Sequence, residues 1–177
     1  MRKLKLDELN RLSTAAFKAA DKIPLIIVLD NIRSAANIGS VFRTCDAFLV
    51  EAIHLVGICA KPPNRDIQKS ALGATETVDW QYFEHIKDSI ADLRKNGFEI
   101  LTVEQSDKST MLHDFQPKTD KKYALIFGNE VEGVSDFAIQ YCDTCIEIPQ
   151  FGMKHSLNIA VSAGIVIWDF ARKIKLT

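Results

Sequence analysis

The sequence predicts an α/β domain in which a mostly parallel sheet is covered by helices on both faces. Short, continuous apolar runs, such as residues 25–29, are typical of strands that are buried on both sides. Segments with helical spacing alternate with these runs, which is the pattern of a parallel sheet. The 177 residues provide room for one domain, and neither a linker nor an internal repeat divides them. We therefore expect a single domain over residues 1–177.

The elements follow one another along the chain. Leucines and alanines at helical spacing predict an amphipathic helix over residues 3–20, within an N-terminal arm at about residues 1–22. Strands are predicted at residues 25–30, 52–57, 99–103, 123–128 and 145–148. Helices are predicted at residues 37–47, 82–96 and 156–173, with a short helix after Ser135. Ligands of such sheets lie beyond the carboxyl ends of the strands, so the loops after the strands are the candidate site.

The charge of the chain is nearly balanced, with a net charge of −1 and a pI of about 6.4. This balance argues against non-specific binding of polyanions by the whole surface. The arm at residues 1–22 nevertheless holds six basic residues against three acidic ones. Such a local excess fits either a contact with nucleic acid or ordinary solvated helix ends.

Several classes of protein are disfavoured by what the sequence lacks. No apolar run approaches the ~20 residues of a membrane span, and no secretory signal is visible, so we expect a cytoplasmic protein without membrane contact. The four cysteines are expected to be free thiols. Cys142 and Cys145 form a lone C-x-x-C without the further ligands of a zinc site, so no metal is expected. Glycine-rich dinucleotide and phosphate-binding loops are also absent, which disfavours other nucleotide-binding α/β enzymes.

Three segments hold residues suited to chemistry. In the first, residues 37–43, Asn37 fits a helix cap. Arg43 lies near two turns further on, which predicts a position on about the same side. Its guanidinium could hold a phosphate, or it is an ordinary surface arginine. The second, residues 128–135, places an amide and an acid between Gly128 and Gly133, a spacing that permits a tight turn whose backbone contacts a ligand, while Ser135 fits a helix cap.

The third segment, residues 148–158, joins a predicted strand to an apolar helix. Ser156 and Asn158 open that helix, where free backbone N–H groups can bind a ligand. In this order, each after a strand, the three segments resemble the motifs of the SpoU (TrmH-like) branch of the SPOUT RNA methyltransferases. Gly-Asn-Glu-x-x-Gly at residues 128–133 and Ile-Pro-x-x-Gly-x-x-x-Ser-Leu-Asn at residues 148–158 are specific in combination. The resemblance covers roughly residues 24–172 and is strongest to tRNA 2′-O-ribose methyltransferases.

The resemblance implies a homodimer with a C-terminal trefoil knot that transfers a methyl group from S-adenosylmethionine to a ribose 2′-hydroxyl of RNA. The catalytic residues that it implies are Arg43, Asn37, Glu130, Ser156 and Asn158. The cofactor pocket that it implies is formed by Val103, Glu104, Gly128, Asn129, Ile148, Pro149, Gly152, Met153, Leu157 and Asn158. Gly128 and Gly152 are expected to let the backbone reach the cofactor.

The resemblance also implies how the catalytic arginine works. Arg43 matches the family's catalytic arginine, which is often called a base. Because a guanidinium stays protonated in proteins, we expect it to clamp a phosphate and to stabilise developing alkoxide charge. Asn37 matches the residue that orients this arginine.

The RNA target is the least determined part of the prediction. The extra N-terminal RNA-binding domain of many relatives is not visible in this sequence. We expect a tRNA substrate, with a guanosine of the D-loop favoured and the wobble nucleotide or ribosomal RNA as alternatives. A catalytically silent RNA-binding module is the alternative from a different class. The candidate RNA contacts are Lys3, Lys5, Arg11, Lys18, Arg33, Lys61 and Arg65.

The last predicted helix bears on the oligomeric state. Large apolar residues go nearly all round it: Ile159, Val161, Ile165, Val166, Ile167, Trp168 and Phe170. A helix that is apolar all round is buried on all sides, and the sheet covers only one of them. Either a second copy of the chain or the N-terminal helix is expected to cover the other side.

Overall fold

The computed structural model describes residues 1–176, apart from the side chains of residues 6 and 7. Its strands are β1 (Ile23–Asp30), β2 (Val50–Val56), β3 (Asp79–Phe83), β4 (Phe98–Val103), β5 (Thr110–Met111), β6 (Lys122–Phe127) and β7 (Thr144–Glu147). They form one seven-stranded sheet in the order β3-β2-β1-β6-β4-β7-β5. Every neighbouring pair is parallel, which confirms the predicted sheet.

Helices cover both faces of this sheet. They are α1 (Thr14–Ala19), α2 (Ala35–Ala47), α3 (Arg65–Ala71), α4 (Ala74–Thr77), α5 (Ile86–Lys95), α6 (Asp136–Tyr141) and α7 (Ile159–Lys175). In β1, Ile27 and Leu29 pack with α2, α3 and α7, whereas the alternating Ile26 and Val28 pack with α5 and α6. Side chains of a strand alternate between the two faces, so a strand covered on both sides is apolar throughout. The predicted covering of both faces is confirmed, and the trefoil knot stays a prediction.

The N-terminal arm differs from the single predicted helix. A 3-10 helix at Leu6–Leu9 ends at Asn10, whose backbone is left-handed with φ of 47°. The second helix, α1, then begins after Ser13, whose Oγ accepts a hydrogen bond from the backbone N–H of Ala16 at 3.2 Å. The prediction of one continuous helix over residues 3–20 is therefore wrong.

Boundaries differ elsewhere as well. The predicted helix at residues 82–96 begins only at Ile86, because residues 79–83 form β3 and pair with β2. The helix predicted from residue 156 begins at Ile159, with Asn158 at its N-cap. The short elements α3, α4 and β5 lie where the sequence predicted no regular structure.

The structure also bears on membranes, metals and thiols. Within residues 1–176, no helix combines the length and the apolarity needed to cross a membrane. Over the same part of the chain, His, Cys, Asp and Glu side chains form no group that could hold a metal ion. All four cysteines are free thiols, and burial raises the pKa of the Cys59 thiol to about 11.

Candidate active site

A cavity of about 350 Å³ opens at the carboxyl ends of β4, β6 and β7. These ends lie together because β4 pairs with β6 on one side and with β7 on the other. Val103 and Phe127, the last residues of β4 and β6, line the cavity, together with the loops that follow the three strands and the start of α7. The cavity thus lies where a parallel sheet is expected to bind its ligand.

Many of the predicted site residues line this cavity. Of the predicted cofactor residues, those that line it are Val103, Glu104, Gly128, Asn129, Ile148 and Leu157. The predicted catalytic residues Glu130 and Ser156 also line it, whereas Pro149, Gly152, Met153 and Asn158 do not. Lining residues that the sequence did not single out include Gln105, Glu147, Gln150 and His155. Gln105 lies in the loop after β4, Glu147 is the last residue of β7, and Gln150 and His155 lie in the third motif segment; these positions at strand ends were the signal that could have found them.

The turn at residues 128–134 is built by its own amide and glycines. The Oδ1 atom of Asn129, a buried residue, accepts hydrogen bonds from the backbone N–H groups of Val131 and Glu132, both at 2.9 Å. The backbone N–H of Gly133 donates to the carbonyl of Asn129 at 3.0 Å. A Cβ atom on Gly128 would overlap the backbone of Gly133. Gly128 is therefore required for the turn to close on itself, and its role toward a cofactor stays a prediction.

Glu104 fastens this turn to the end of β4. Its Oε2 atom accepts a hydrogen bond from the backbone N–H of Val134 at 3.1 Å, and its Oε1 atom accepts one from the N–H of Gln105 at 2.9 Å. A Cβ atom on Gly133, where φ is +70°, would overlap the Glu104 carboxylate. The carboxylate of Glu104 is thus fixed at the wall of the cavity.

Hydrogen bonds between side chains join the three motif segments. The Nδ2 atom of Asn37 donates to Oε1 of Glu130 at 2.7 Å, and Nδ2 of Asn158 donates to Oδ1 of Asn37 at 3.3 Å. Asn158 also caps α7, because its Oδ1 accepts from the backbone N–H of Ala160 at 2.9 Å. The cap of α2 is Ser34, whose Oγ accepts from the N–H of Asn37 at 3.3 Å. Asn37 is therefore not the helix cap that the sequence predicted.

Arg43 takes no part in the link, the hydrogen bonds that join Glu130, Asn37 and Asn158. Its side chain is exposed, and over residues 1–176 it forms neither a hydrogen bond nor an ion pair. Six residues of helix turn through about 600°, which leaves Arg43 about 120° round α2 from Asn37 and about 9 Å along it. The predicted position on the same side is wrong, and the structure shows no contact through which Asn37 orients the guanidinium.

Negative charge dominates the lining of the cavity. Four carboxylates line it, from Glu104, Glu130, Glu132 and Glu147, and no lysine or arginine does so in the described chain. Glu147 is held by the hydroxyl of Ser109, which donates to its Oε2 atom at 2.5 Å. Such a lining favours a cationic ligand and repels phosphate groups.

The predicted RNA contacts do not all lie at one end of the sheet. Arg33 follows β1, Lys61 follows β2, and Arg65 begins α3, so these exposed side chains lie at the edge that carries the cavity. The Nζ atom of Lys61 lies 4.0 Å from the ring centroid of Tyr82. Lys18 belongs to α1, which packs against α4 at the amino ends of β1 and β3. The other arm residues, Lys3, Lys5 and Arg11, are exposed.

Comparisons with known proteins agree with this geometry. The family model described as "SpoU rRNA Methylase family" matches residues 24–168. The 23S rRNA (guanosine-2′-O-)-methyltransferase RlmB of Neisseria meningitidis is 31% identical over 150 residues, which are 85% of this chain and 59% of that protein. The tRNA (guanosine(18)-2′-O)-methyltransferase TARBP1 of Mus musculus is 31% identical over 154 residues, 84% of this chain and 9% of that protein.

A solved structure is similar in the same way. The TrmH/SpoU tRNA modifying enzyme of A. aeolicus superposes with a TM-score of 0.78 and 26% identity, over 89% of this chain and 78% of that one. The chain spans less than two thirds of the length of either curated relative. A family model that matches most of the chain, together with the joined motif segments, shows that the chain belongs to the SpoU rRNA Methylase family.

Proposed function

We propose that this protein is an RNA ribose 2′-O-methyltransferase that uses S-adenosylmethionine. The observation that carries the proposal is the link from Glu130 through Asn37 to Asn158, which joins the three motif segments beside a cavity lined by carboxylates. Membership of the family supports the same activity.

The cavity fits the chemistry of S-adenosylmethionine. Apolar Val103, Ile148 and Leu157 suit a flat adenine face. The four carboxylates suit a ligand with a sulfonium and an ammonium group, and they would repel nucleotides with phosphates. When bound, the cofactor supplies an electrophilic methyl group. Glu104, fixed by two backbone N–H groups, is the carboxylate best held to face such a ligand.

The linked side chains would position the ribose that accepts the methyl group. Oε1 of Glu130 is occupied by Asn37, which leaves its Oε2 atom to accept a hydrogen bond from a ribose hydroxyl. The Ser156 hydroxyl lines the cavity without a hydrogen-bond partner over residues 1–176. Methyl transfer needs the oxygen in line at about 3–3.5 Å, so positioning supplies much of the rate. Asn37 acts here by holding Glu130.

Arg43 would contribute through the RNA. Its exposed guanidinium is free to take a phosphate bidentately, which would place positive charge near the oxygen that becomes an alkoxide. Because no side chain within residues 1–176 orders Arg43, the bound phosphate would order it. Arg33, Lys61 and Arg65 lie at the same edge and would contact neighbouring phosphates, while the arm residues would contribute less.

We favour a tRNA substrate with a guanosine of the D-loop as the target. The name of the mouse relative specifies guanosine 18 of tRNA, and the name of the Neisseria relative specifies a guanosine of 23S rRNA. Both names support guanosine as the nucleoside. The alternative targets are the wobble nucleotide of tRNA and a ribosomal RNA. Assays with different RNA substrates distinguish them from the D-loop guanosine.

We also propose a homodimer formed through α7. Val161, Ile165 and Trp168 are 50%, 38% and 48% exposed, so one face of this helix is uncovered in a single chain. The N-terminal helix does not cover that face, because α1 packs against α4. A symmetric pair is the commonest way to bury such a face.

Tritium transfer tests the proposed function. Purified protein and methyl-tritiated cofactor are incubated in parallel reactions with one RNA each. The RNAs are tRNA, tRNA that lacks the D-loop guanosines, and fragments of ribosomal RNA. We expect label in intact tRNA and its loss without those guanosines. Label in ribosomal RNA alone would overturn the tRNA proposal, and RNA binding without any label would indicate the silent module.

A further inference from the structure

The segment at residues 149–157 forms one wall of the cavity and is held by very little. Residues 151–158 are all exposed. His155, Ser156 and Leu157 line the cavity. In the chain from residue 1 to 176, the one hydrogen bond that this segment forms is from Nε2 of Gln105 to the carbonyl oxygen of His155, at 3.0 Å. A wall of the cavity therefore depends on one side chain from outside the segment.

The main chain at Gln105 is held in place by hydrogen bonds of its neighbour Glu104. The backbone N–H of the preceding residue, Glu104, donates to the carbonyl of Ile146 in β7 at 3.1 Å. The N–H of Gln105 itself donates to the Glu104 carboxylate, which also accepts from Val134. The Gln105 main chain is thus tied to β7 and to the turn at residues 128–134.

The far end of the wall is anchored separately. Asn158 caps α7 and donates to Asn37, so it cannot move without disturbing the motif link. Gln105 at His155 and Asn37 at Asn158 together bracket Ser156 and Leu157. Release of the Gln105 anchor would leave residues 149–157 held only by the elements at their two ends, β7 and the start of α7.

We infer that Gln105 is a positioning residue that holds the wall formed by His155, Ser156 and Leu157 against the bound cofactor. This inference rests on the proposed function, because it takes S-adenosylmethionine as the occupant of the cavity. Gln105 acts through the His155 carbonyl, and nothing in the proposed transfer requires it to react. Its loss should weaken cofactor binding while leaving RNA binding intact.

The first test measures affinity for S-adenosylhomocysteine, the demethylated cofactor, by calorimetry. The variant Gln105→Glu keeps the size of the side chain, removes the N–H donor and turns a carboxylate toward a carbonyl. We expect Kd for S-adenosylhomocysteine to rise about tenfold, with KM for RNA unchanged. Gln105→His, which keeps a ring N–H donor, should recover most of the affinity. The control is Gln140→Glu, the same change of charge at an exposed position of α6.

The second test uses the ligand-free protein. Trypsin cleaves after Lys154, directly before the residue that Gln105 holds. We expect Gln105→Glu to be cut there about tenfold faster than the wild type or Gln140→Glu, giving fragments 1–154 and 155–177 by mass spectrometry. Equal cleavage and equal affinity would overturn the inference. If the wild type does not bind S-adenosylhomocysteine, the proposed function fails, and the cleavage rates still decide whether Gln105 holds the wall.

Discussion

Nδ2 of Asn37 lies 2.7 Å from Oε1 of Glu130, although 93 residues separate them in the sequence. The contact joins the first turn of α2 to the turn after β6, and Asn158 extends it to the start of α7. Three segments that follow three different strands are thereby held in one arrangement. The consequences of breaking this arrangement can be measured.

Asn37→Asp should impair methyl transfer strongly. The change replaces the N–H donor by a carboxylate oxygen opposite Glu130, and two like charges at this distance repel. We expect kcat/KM to fall about a hundredfold, which single-turnover kinetics would show. Asn10→Asp is the control, because Asn10 is exposed and distant in sequence from the motifs. Activity within about twofold of the wild type in Asn37→Asp would refute the role of the link.

Arg43→Ala should slow methyl transfer strongly without changing the affinity for the cofactor. Removing a charge-stabilising group typically costs about 10²–10³ in kcat, and Arg43 does not line the cavity. Calorimetry with S-adenosylhomocysteine should give the wild-type affinity. Arg43→Lys, which keeps the charge without the planar fork, should be intermediate. An affinity that falls as steeply as turnover would place Arg43 in the cofactor pocket and contradict its assignment.

The salt dependence of RNA binding should separate the two basic groups. Arg33→Ala with Arg65→Ala removes charge from the edge that carries the cavity. The slope of log K against log salt should fall by about 0.7–0.9 for each lost phosphate contact. The triple change of Lys3, Lys5 and Lys18 to alanine removes charge from the N-terminal arm. It should raise KM for RNA less than the double change of Arg33 and Arg65 does. The reverse order of effects would make the N-terminal arm the main RNA contact.

Ile165→Asp should dissociate the proposed homodimer. The side chain lies on the uncovered face of α7, where a charge would be buried in a symmetric interface. Light scattering should give twice 19.8 kDa for the wild type and one chain for the variant. Leu72→Asp, at an exposed leucine on the distant end of α3, is the control. A wild type that already has the mass of one chain would exclude the homodimer.

His54 should make folding stability depend on pH. Burial lowers its pKa from 6.5 to about 4, and Nδ1 of the ring is 2.9 Å from the Ser89 hydroxyl. Between these values the unfolded chain binds the proton and the folded one does not, so the stabilisation is present above pH 6.5 and is lost as pH falls toward 4. The expected slope is at most about 1.4 kcal/mol per pH unit. His54→Gln should flatten it in urea titrations, whereas exposed His113→Gln should not.

The strands that the sequence predicted are the inner ones. β1, β2, β4, β6 and β7 each have neighbours on both sides, and strands buried in this way carry continuous apolar runs. β3 and β5 are the two outermost strands, and β3 is largely exposed, so no such run marks them. The apolar run that marks an inner strand in the sequence is therefore missing from the strands at the edges of the sheet.

For the candidate site, the sequence predicts several of the residues but not the contacts between them. Asn37, Glu130 and Asn158 could be found individually because motif spacing places each after a strand. Their hydrogen bonds could not be predicted, since they depend on how three distant loops meet, and Asn37 was matched instead to Arg43. The hydrogen bond from Gln105 to His155 could not be predicted, because a glutamine side chain on a backbone carbonyl has no pattern in a sequence.

The central claim is tested most directly by the position of the transferred methyl group. Protein is incubated with tRNA and cofactor carrying a trideuterated methyl group, and the RNA is digested to nucleosides for mass spectrometry. We expect 2′-O-methylguanosine with the deuterium label on the ribose, formed about a hundredfold more slowly by Asn37→Asp than by the wild type. A label on a base, or no labelled nucleoside from tRNA or ribosomal RNA while the protein binds both cofactor and RNA, would contradict it.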